Sequence, residues 1–214
     1  MIQAVLFDMD GVLVDSEELI CQAAILMFKE KGLIVKEKDF IPFIGTGENR
    51  YLSGVAEKYN FPFDQIRDKK RTYEIYIEIS KGKLKPLSGV LDFIEKCKVR
   101  KLKIAIATSA DEIKMNANLK EIGIPASTFD ACVNGLEVER KKPFPDIYLE
   151  AARRLNVEPK NCLVVEDALS GEKSGFTAGC KVLAITGSFK AEEFKLAEWK
   201  AEDLSKAPDA CLNW

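Results

Sequence analysis

The chain has no histidine among its 214 residues. That absence excludes Ser-His-Asp and Cys-His hydrolysis, the H-E-x-x-H zinc site and phosphohistidine chemistry, each of which needs an imidazole. An excess of basic charge is missing too: 32 Lys plus Arg stand against 34 Asp plus Glu, for a formal charge of −2. No global field draws a polyanion to such a surface, so no nucleic-acid partner is expected. No window approaches the run of about 18 apolar residues that a membrane span needs. MIQAVLFDMDG enters a strand-like run at once, without the basic segment of a signal peptide. A cytoplasmic monomer with no membrane partner is the expectation. The cysteines, Cys21, Cys97, Cys132, Cys162, Cys180 and Cys211, form no C-x-x-C pair, which fits reduced core thiols better than a disulfide framework or a zinc site. SGEKSG at 170–175 is not a P-loop, and no cysteine has an arginine six positions on, as a cysteine-phosphatase loop requires. Chemistry is left to carboxylates, lysines, hydroxyls, the backbone and a metal.

What is present is a hydrophobic content of 47%, enough for one core or a core with a modest insert. Nearly continuous apolar runs at 2–7, 103–108, 130–133, 162–166 and 181–186 predict strands covered on both faces, hence a parallel sheet. Helical patterns at 90–101, 112–123, 146–156 and 168–179 alternate with them, the second and last ending at a glycine suited to a C-cap. Residues 17–83 break the alternation with three amphipathic helical stretches and no buried strand. The reading is an α/β core over 1–16 and 84–214, with a small helical domain inserted at 17–83.

In open α/β sheets ligands bind beyond the carboxyl ends of the strands. There the sequence places Asp8 and Asp10 after the first strand, Thr108 and Ser109 after the second, and Glu166 and Asp167 after the fourth, with Lys142 in the connection after the third. Clustered carboxylates repel unless a cation neutralises them, and hard oxygen ligands favour Mg²⁺, which in turn favours a phosphate. One carboxylate can attack phosphorus while a second, two residues on, handles protons. A lysine and a hydroxyl would hold the transferring oxygens.

Each element has a plainer reading. DMDG suits a surface turn, or the start of a calcium loop, although an EF-hand would want an acid at Val12 and a flanking helix. Glu166 and Asp167 could sit at a helix start for its dipole, Lys142 could be a solvated surface lysine, and Thr108 a helix cap. Asp15 or Ser16 reads as the cap of the first inserted helix, and the aromatic and Met residues near Phe28, Tyr59 and Tyr73 as the core of the inserted domain.

FDMDGVLVDSE, IATSA, KKPFPDIY and VVEDALSG, in that order, resemble the four motifs of the haloacid dehalogenase superfamily, in its β-phosphoglucomutase-like branch. The resemblance implies a Rossmann-like doubly wound core with a helical cap after the first strand. It implies Asp8 as nucleophile, Asp10 as general acid/base, Thr108 as phosphate donor and Lys142 as phosphate stabiliser. Mg²⁺ would be ligated by Asp8, the Asp10 carbonyl and Asp167, with Glu166 helping directly or through water. Ser109, Ala110 and the cap segment GTGENR, with Gly45, Thr46, Glu48 and Arg50, would face a small phosphorylated metabolite.

Within that superfamily a second acid at Asp10 favours phosphate-ester transfer over dehalogenation. Three departures then separate phosphatase from mutase: Ile20, Glu48 and Asp111 stand where the mutase pattern has His, Arg and Lys. They favour an Mg²⁺-dependent phosphatase of a small, sugar phosphate-like monoester. The alternatives are a β-phosphoglucomutase-type phosphotransferase, or a regulatory or binding module that keeps the fold.

Overall fold

Strand β1 (Ala4–Phe7) carries the logic of the core in four residues. Its side chains alternate between faces: Val5 and Phe7 enter one hydrophobic cluster, Ala4 and Leu6 the other. Both faces are therefore apolar and both are covered, the condition the continuous apolar runs predict. The computed structural model describes residues 1–43 and 47–214.

β1 pairs in parallel with β2 (Lys103–Ala107) on one side and β4 (Cys162–Glu166) on the other. β3 (Ala131–Val133) extends the sheet beyond β2, and β5 (Lys181–Ile185) and β6 (Trp199–Ala201) extend it beyond β4. The order β3-β2-β1-β4-β5-β6 is that of the doubly wound sheet, and its switch in direction falls between β1 and β4. The edge strand β6 is absent from the sequence reading because its three residues, WKA, carry no apolar run.

Helices α4 (Val90–Val99) and α5 (Glu112–Glu121) place Phe93, Ile94, Cys97, Met115 and Leu119 in the cluster with Val5, Phe7, Ile104 and Leu163. Helix α6 (Asp146–Leu155) covers the opposite face with Ile147, Tyr148, Ala151 and Leu155. Fully burying a Leu or Phe of this kind contributes about 1.5–3 kcal/mol. Helix α7 (Leu169–Thr177) follows β4.

Between β1 and α4 the chain forms α1 (Glu17–Glu30), α2 (Glu48–Lys58) and α3 (Gln65–Ser80). Asp64 caps α3 by accepting from Ile66 N and Arg67 N at 3.1 and 2.8 Å, and α1 packs along α3. Phe28 of α1 meets Phe40, Phe61 and Phe63. Tyr59, read from sequence as part of that core, is instead 40% exposed, with its hydroxyl donating to Asp39. Asp39 is buried, and the Lys58 ammonium beside it holds its carboxyl down at about 2. Helix α3 also reaches α5, through an ion pair of Lys69 with Asp111 at 2.6 Å and a hydrogen bond from Tyr76 to Asn118.

Candidate active site

The first strand ends in a residue that remains in the ladder: Asp8 N donates to Val165 O at 3.0 Å. Main-chain pairing thus sets the direction of the Asp8 side chain against the end of β4. Lys142 Nζ donates to Asp8 Oδ1 at 2.7 Å, to Glu166 Oε1 at 2.6 Å and to Ala107 O at 3.3 Å. The ends of β1, β2 and β4 are therefore joined by one ammonium. Tyr148 of α6 donates its hydroxyl to Glu166 Oε1 at 2.7 Å, and its ring centroid lies 5.1 Å from the Lys142 ammonium. The other Glu166 oxygen accepts from the Asp167 and Ala168 amides at 3.0 and 3.1 Å, and Ser188 donates to Asp167.

Two glycines let these acids approach. Gly11 turns the DMDG loop at φ 78°, and a Cβ there would lie 2.0 Å from Asp167 Oδ2. A Cβ on Gly171 would lie 1.7 Å from Glu166 Oε1. Neither position has room for a side chain.

Asp8, Glu166 and Asp167 are all buried, and each can bring a carboxylate oxygen within 4.8 Å of the others. Burial disfavours the charged forms. It pushes the Asp8 carboxyl up to about 7, an effect Lys142 offsets only in part and Glu166 reinforces. Burial, with Glu166 and Asp8 adding, also raises Asp167 well above the usual carboxylate range. Burial works against the Lys142 ammonium, but Asp8 and Glu166 more than compensate and its pKa is raised. Lys142 thus stays charged, one positive charge among three buried carboxylates. A set of hard oxygen donors whose charged forms burial disfavours fits a divalent cation, which would stabilise those forms.

Thr108 is buried at the end of β2, where its N donates to Val133 O at 3.0 Å and its Oγ1 accepts from Ala110 N at 3.1 Å. Ala110 is buried and Ser109 half-buried. Gly135 N donates to Ala110 O at 2.7 Å, pinning this loop from the β3 side. Asp10 stands two residues beyond Asp8 with its side chain 25% exposed. Its carboxylate accepts from Lys114 Nζ at 2.7 Å, from Asn118 Nδ2 at 3.3 Å and from Ser16 Oγ. Ser16, read from sequence as a helix cap, occupies the N-cap position of α1 without a side-chain cap bond, because its hydroxyl is turned to Asp10.

Of the other residues singled out by sequence, Arg50 lies on α2, pairs with Glu57 at 2.7 Å and stacks on Phe43. The structure does not bring it into the Asp8 cluster. Gly45 and Thr46 lie outside the described residues, as does the side chain of Glu48. Asp111, in place of a mutase lysine, is paired with Lys69.

The sequence matches the haloacid dehalogenase-like hydrolase family over residues 5–185. The chain belongs to that family. This hydrolase is 44% identical over 190 residues to Protein SUPPRESSOR OF QUENCHING 1, chloroplastic, of Arabidopsis thaliana, an alignment covering 86% of the chain but only 18% of that protein. It is 33% identical over 177 residues to the phosphorylated carbohydrates phosphatase of Thermotoga maritima, covering 83% of the chain and 82% of the relative. The crystal structure of CbbY from Rhodobacter sphaeroides in complex with phosphate superposes on it with a TM-score of 0.87 at 27% identity, covering 96% of each chain. No helix among the described residues is long and apolar enough to cross a membrane.

Sequence reasoning missed Lys114, Asn118, Tyr148 and Ser188. A signal for the first two existed: Asp111, Lys114 and Asn118 recur at helical spacing, on a stripe that adjoins the apolar Met115, Leu119 and Ile122. Tyr148 reads as one more apolar residue of α6, and nothing local marks Ser188.

Proposed function

We propose that this hydrolase is a Mg²⁺-dependent phosphatase of a small, sugar phosphate-like monoester, acting through a phosphoaspartate on Asp8. The observation that carries the proposal is the buried grouping of Asp8, Lys142, Glu166 and Asp167 at the switch point of the sheet. Asp8, Asp167 and the Asp10 carbonyl would hold Mg²⁺, with Glu166 beside them. Bound there, the cation supplies charge neutralisation for the carboxylates and the phosphoryl oxygens. In the first half-reaction an Asp8 oxygen attacks phosphorus and the ester P–O bond breaks, while Asp10 gives its proton to the departing oxygen. In the second, water loses a proton to Asp10 as it attacks the phosphoryl group, and phosphate leaves with Asp8 restored. Lys142 and the Thr108 hydroxyl hold the phosphoryl oxygens.

Residues 17–83 are read as a cap over a core formed by 1–16 and 84–214. Gly45, Thr46, Glu48, Arg50, Ser109 and Ala110 are read as contacts to the organic part of the substrate, in a cytoplasmic monomer. The phosphatase named among its relatives acts, by that name, on phosphorylated carbohydrates, which supports this substrate class. A mutase must grip a bisphosphate at both ends, and Ile20 and Asp111 offer no second cationic grip. With β-glucose 1-phosphate, Mg²⁺ and a bisphosphate primer, ³¹P NMR is expected to show free phosphate. Clean conversion to glucose 6-phosphate would make the protein a mutase, and no turnover of any ester in a metabolite panel would make it a binding module.

The raised carboxyls give an independent check on the metal. A group of this kind contributes stability that is complete below the ordinary carboxylate pKa of about 4 and is lost as pH rises through its folded value. For Asp8 that loss runs upward from about 4 and is complete by about 7, and Asp167 shifts in the same direction. Excess Mg²⁺ is therefore expected to raise the Tm of EDTA-treated protein by about 5–10 °C at roughly pH 8, and by far less at roughly pH 5. Calorimetry measures it; an increment independent of pH would take the metal out of this cluster.

A further inference from the structure

Asp10 is gripped by groups whose burial packing alone does not explain. Lys114 is 4% exposed and Asn118 fully buried, yet both turn polar atoms to a carboxylate 104 and 108 residues away in sequence. Burying an ammonium costs several kcal/mol unless it is paired, and an apolar residue of similar length fills the same volume without that cost. The Asn118 amide is oriented from its far side. Its Oδ1 accepts from the Tyr76 hydroxyl of α3, which leaves Nδ2 to donate to Asp10 Oδ1 at 3.3 Å and to Met9 Sδ at 3.4 Å. Lys114 holds the other oxygen, Oδ2. The two donors sit one turn apart on α5 and meet both ends of one carboxylate, which fixes the plane of that group.

We propose that Lys114 is a positioning residue for Asp10, with Asn118 as the second arm of the clamp. The inference rests on the reading of Asp10 as general acid/base. When Asp10 gives up its proton to the leaving oxygen, a carboxylate is left behind, and the ammonium and amide already face it. When water returns the proton as it attacks the phosphoaspartate, the same clamp holds the accepting oxygen in place. Lys114 acts through Asp10, so its contribution depends on how much help the leaving group needs.

Two esters separate that role from a structural one. A sugar alkoxide leaves phosphorus only with a proton, whereas p-nitrophenolate leaves without one, and kcat/KM reports the steps up to the phosphoenzyme. Lys114→Met is expected to lower kcat/KM by about 10²-fold on the best sugar phosphate and by less than about 3-fold on p-nitrophenyl phosphate. Lys114→Arg is expected to recover part of the loss. In an Asp10→Asn background Lys114→Met is expected to add little, since the group it positions is gone. Equal losses on both esters, or full additivity with Asp10→Asn, would overturn the proposal. Should Lys114→Met fail to fold by circular dichroism, Tyr76→Phe, which removes only the hydroxyl that orients Asn118, is expected to show the same substrate selectivity in smaller degree. An unselective Tyr76→Phe would count against the clamp. A wild-type protein inactive on every ester would sink the phosphatase reading itself; an active wild type with an unselective Lys114→Met sinks this inference alone.

Discussion

Asp8→Asn protein is expected to fold and to hydrolyse phosphate esters at least ~10³-fold more slowly than wild type, as removal of other essential catalytic groups does. The amide matches the carboxylate in volume but offers phosphorus no nucleophilic oxygen. The fold is expected to survive for two reasons. Lys142 keeps its bond to Glu166 at 2.6 Å, so the substitution does not leave a buried ammonium unpaired. Burial already disfavours charge at Asp8, so a neutral group there costs the metal-free protein little. Rapid acid quench with labelled substrate is expected to trap an acyl phosphate on wild type and none on the variant. A folded Asp8→Asn protein with more than about a tenth of wild-type activity would take the nucleophile away from Asp8.

Asp167→Ala is expected to raise the Mg²⁺ concentration for half-maximal activity by at least about tenfold, with partial recovery in excess Mg²⁺. The substitution removes a carboxylate from the group of Asp8, Glu166 and Asp167 and leaves Ser188 without its acceptor. Stability in EDTA should move the other way. Asp167 is a buried acid whose charged form is disfavoured by burial and by Glu166 and Asp8, so at roughly pH 8 the metal-free variant is expected to melt no lower than wild type. Worse metal binding with undiminished metal-free stability is the signature of a ligand. An unchanged Mg²⁺ midpoint would remove Asp167 from the coordination shell.

The pairing of Asp111 with Lys69 bears on substrate size. A lysine at position 111 would carry a positive charge where this chain has a carboxylate. Here the carboxylate draws a lysine from α3 into an ion pair with both side chains largely buried, at 14% and 12% exposure, and the positive charge is spent inside the protein. A second phosphate placed there would meet a neutralised pair rather than a cation, which is the basis for proposing a monoester substrate.

The sheet was legible because a strand buried on both faces must be apolar along its buried length, and AVLF, IAIA, CLVV and VLAI are. The edge strand β6 escaped notice because half of its surface needs no apolar cover. Helix ends were legible where a backbone requirement selects the residue, as at Gly123 and Gly179, both at positive φ. Ser16 was misread because a serine before a helix satisfies a local rule, and only the folded chain offers its hydroxyl a better partner in Asp10.

At the site, the sequence alone determined which residues end the strands. Asp8, Thr108 and Glu166 close the main-chain ladders of β1, β2 and β4, and a continuous apolar run that stops at a polar residue is enough to specify that. Tertiary structure decided what meets them. Strand order set β4 rather than β3 beside β1, which brings Glu166 and Asp167 to Asp8 across more than 150 residues of chain. Packing of α5 against the loop after β1 turned Lys114 and Asn118 toward Asp10, and packing of α6 brought Tyr148 to Glu166. The physical reason is range: a backbone dihedral or a glycine's missing Cβ acts over a few residues and leaves its mark in a short window. A buried charge is satisfied by whatever donor the fold brings within 3 Å or so, and for Asp8 with Lys142, Asp10 with Lys114 and Glu166 with Tyr148 no short window of sequence contains both partners.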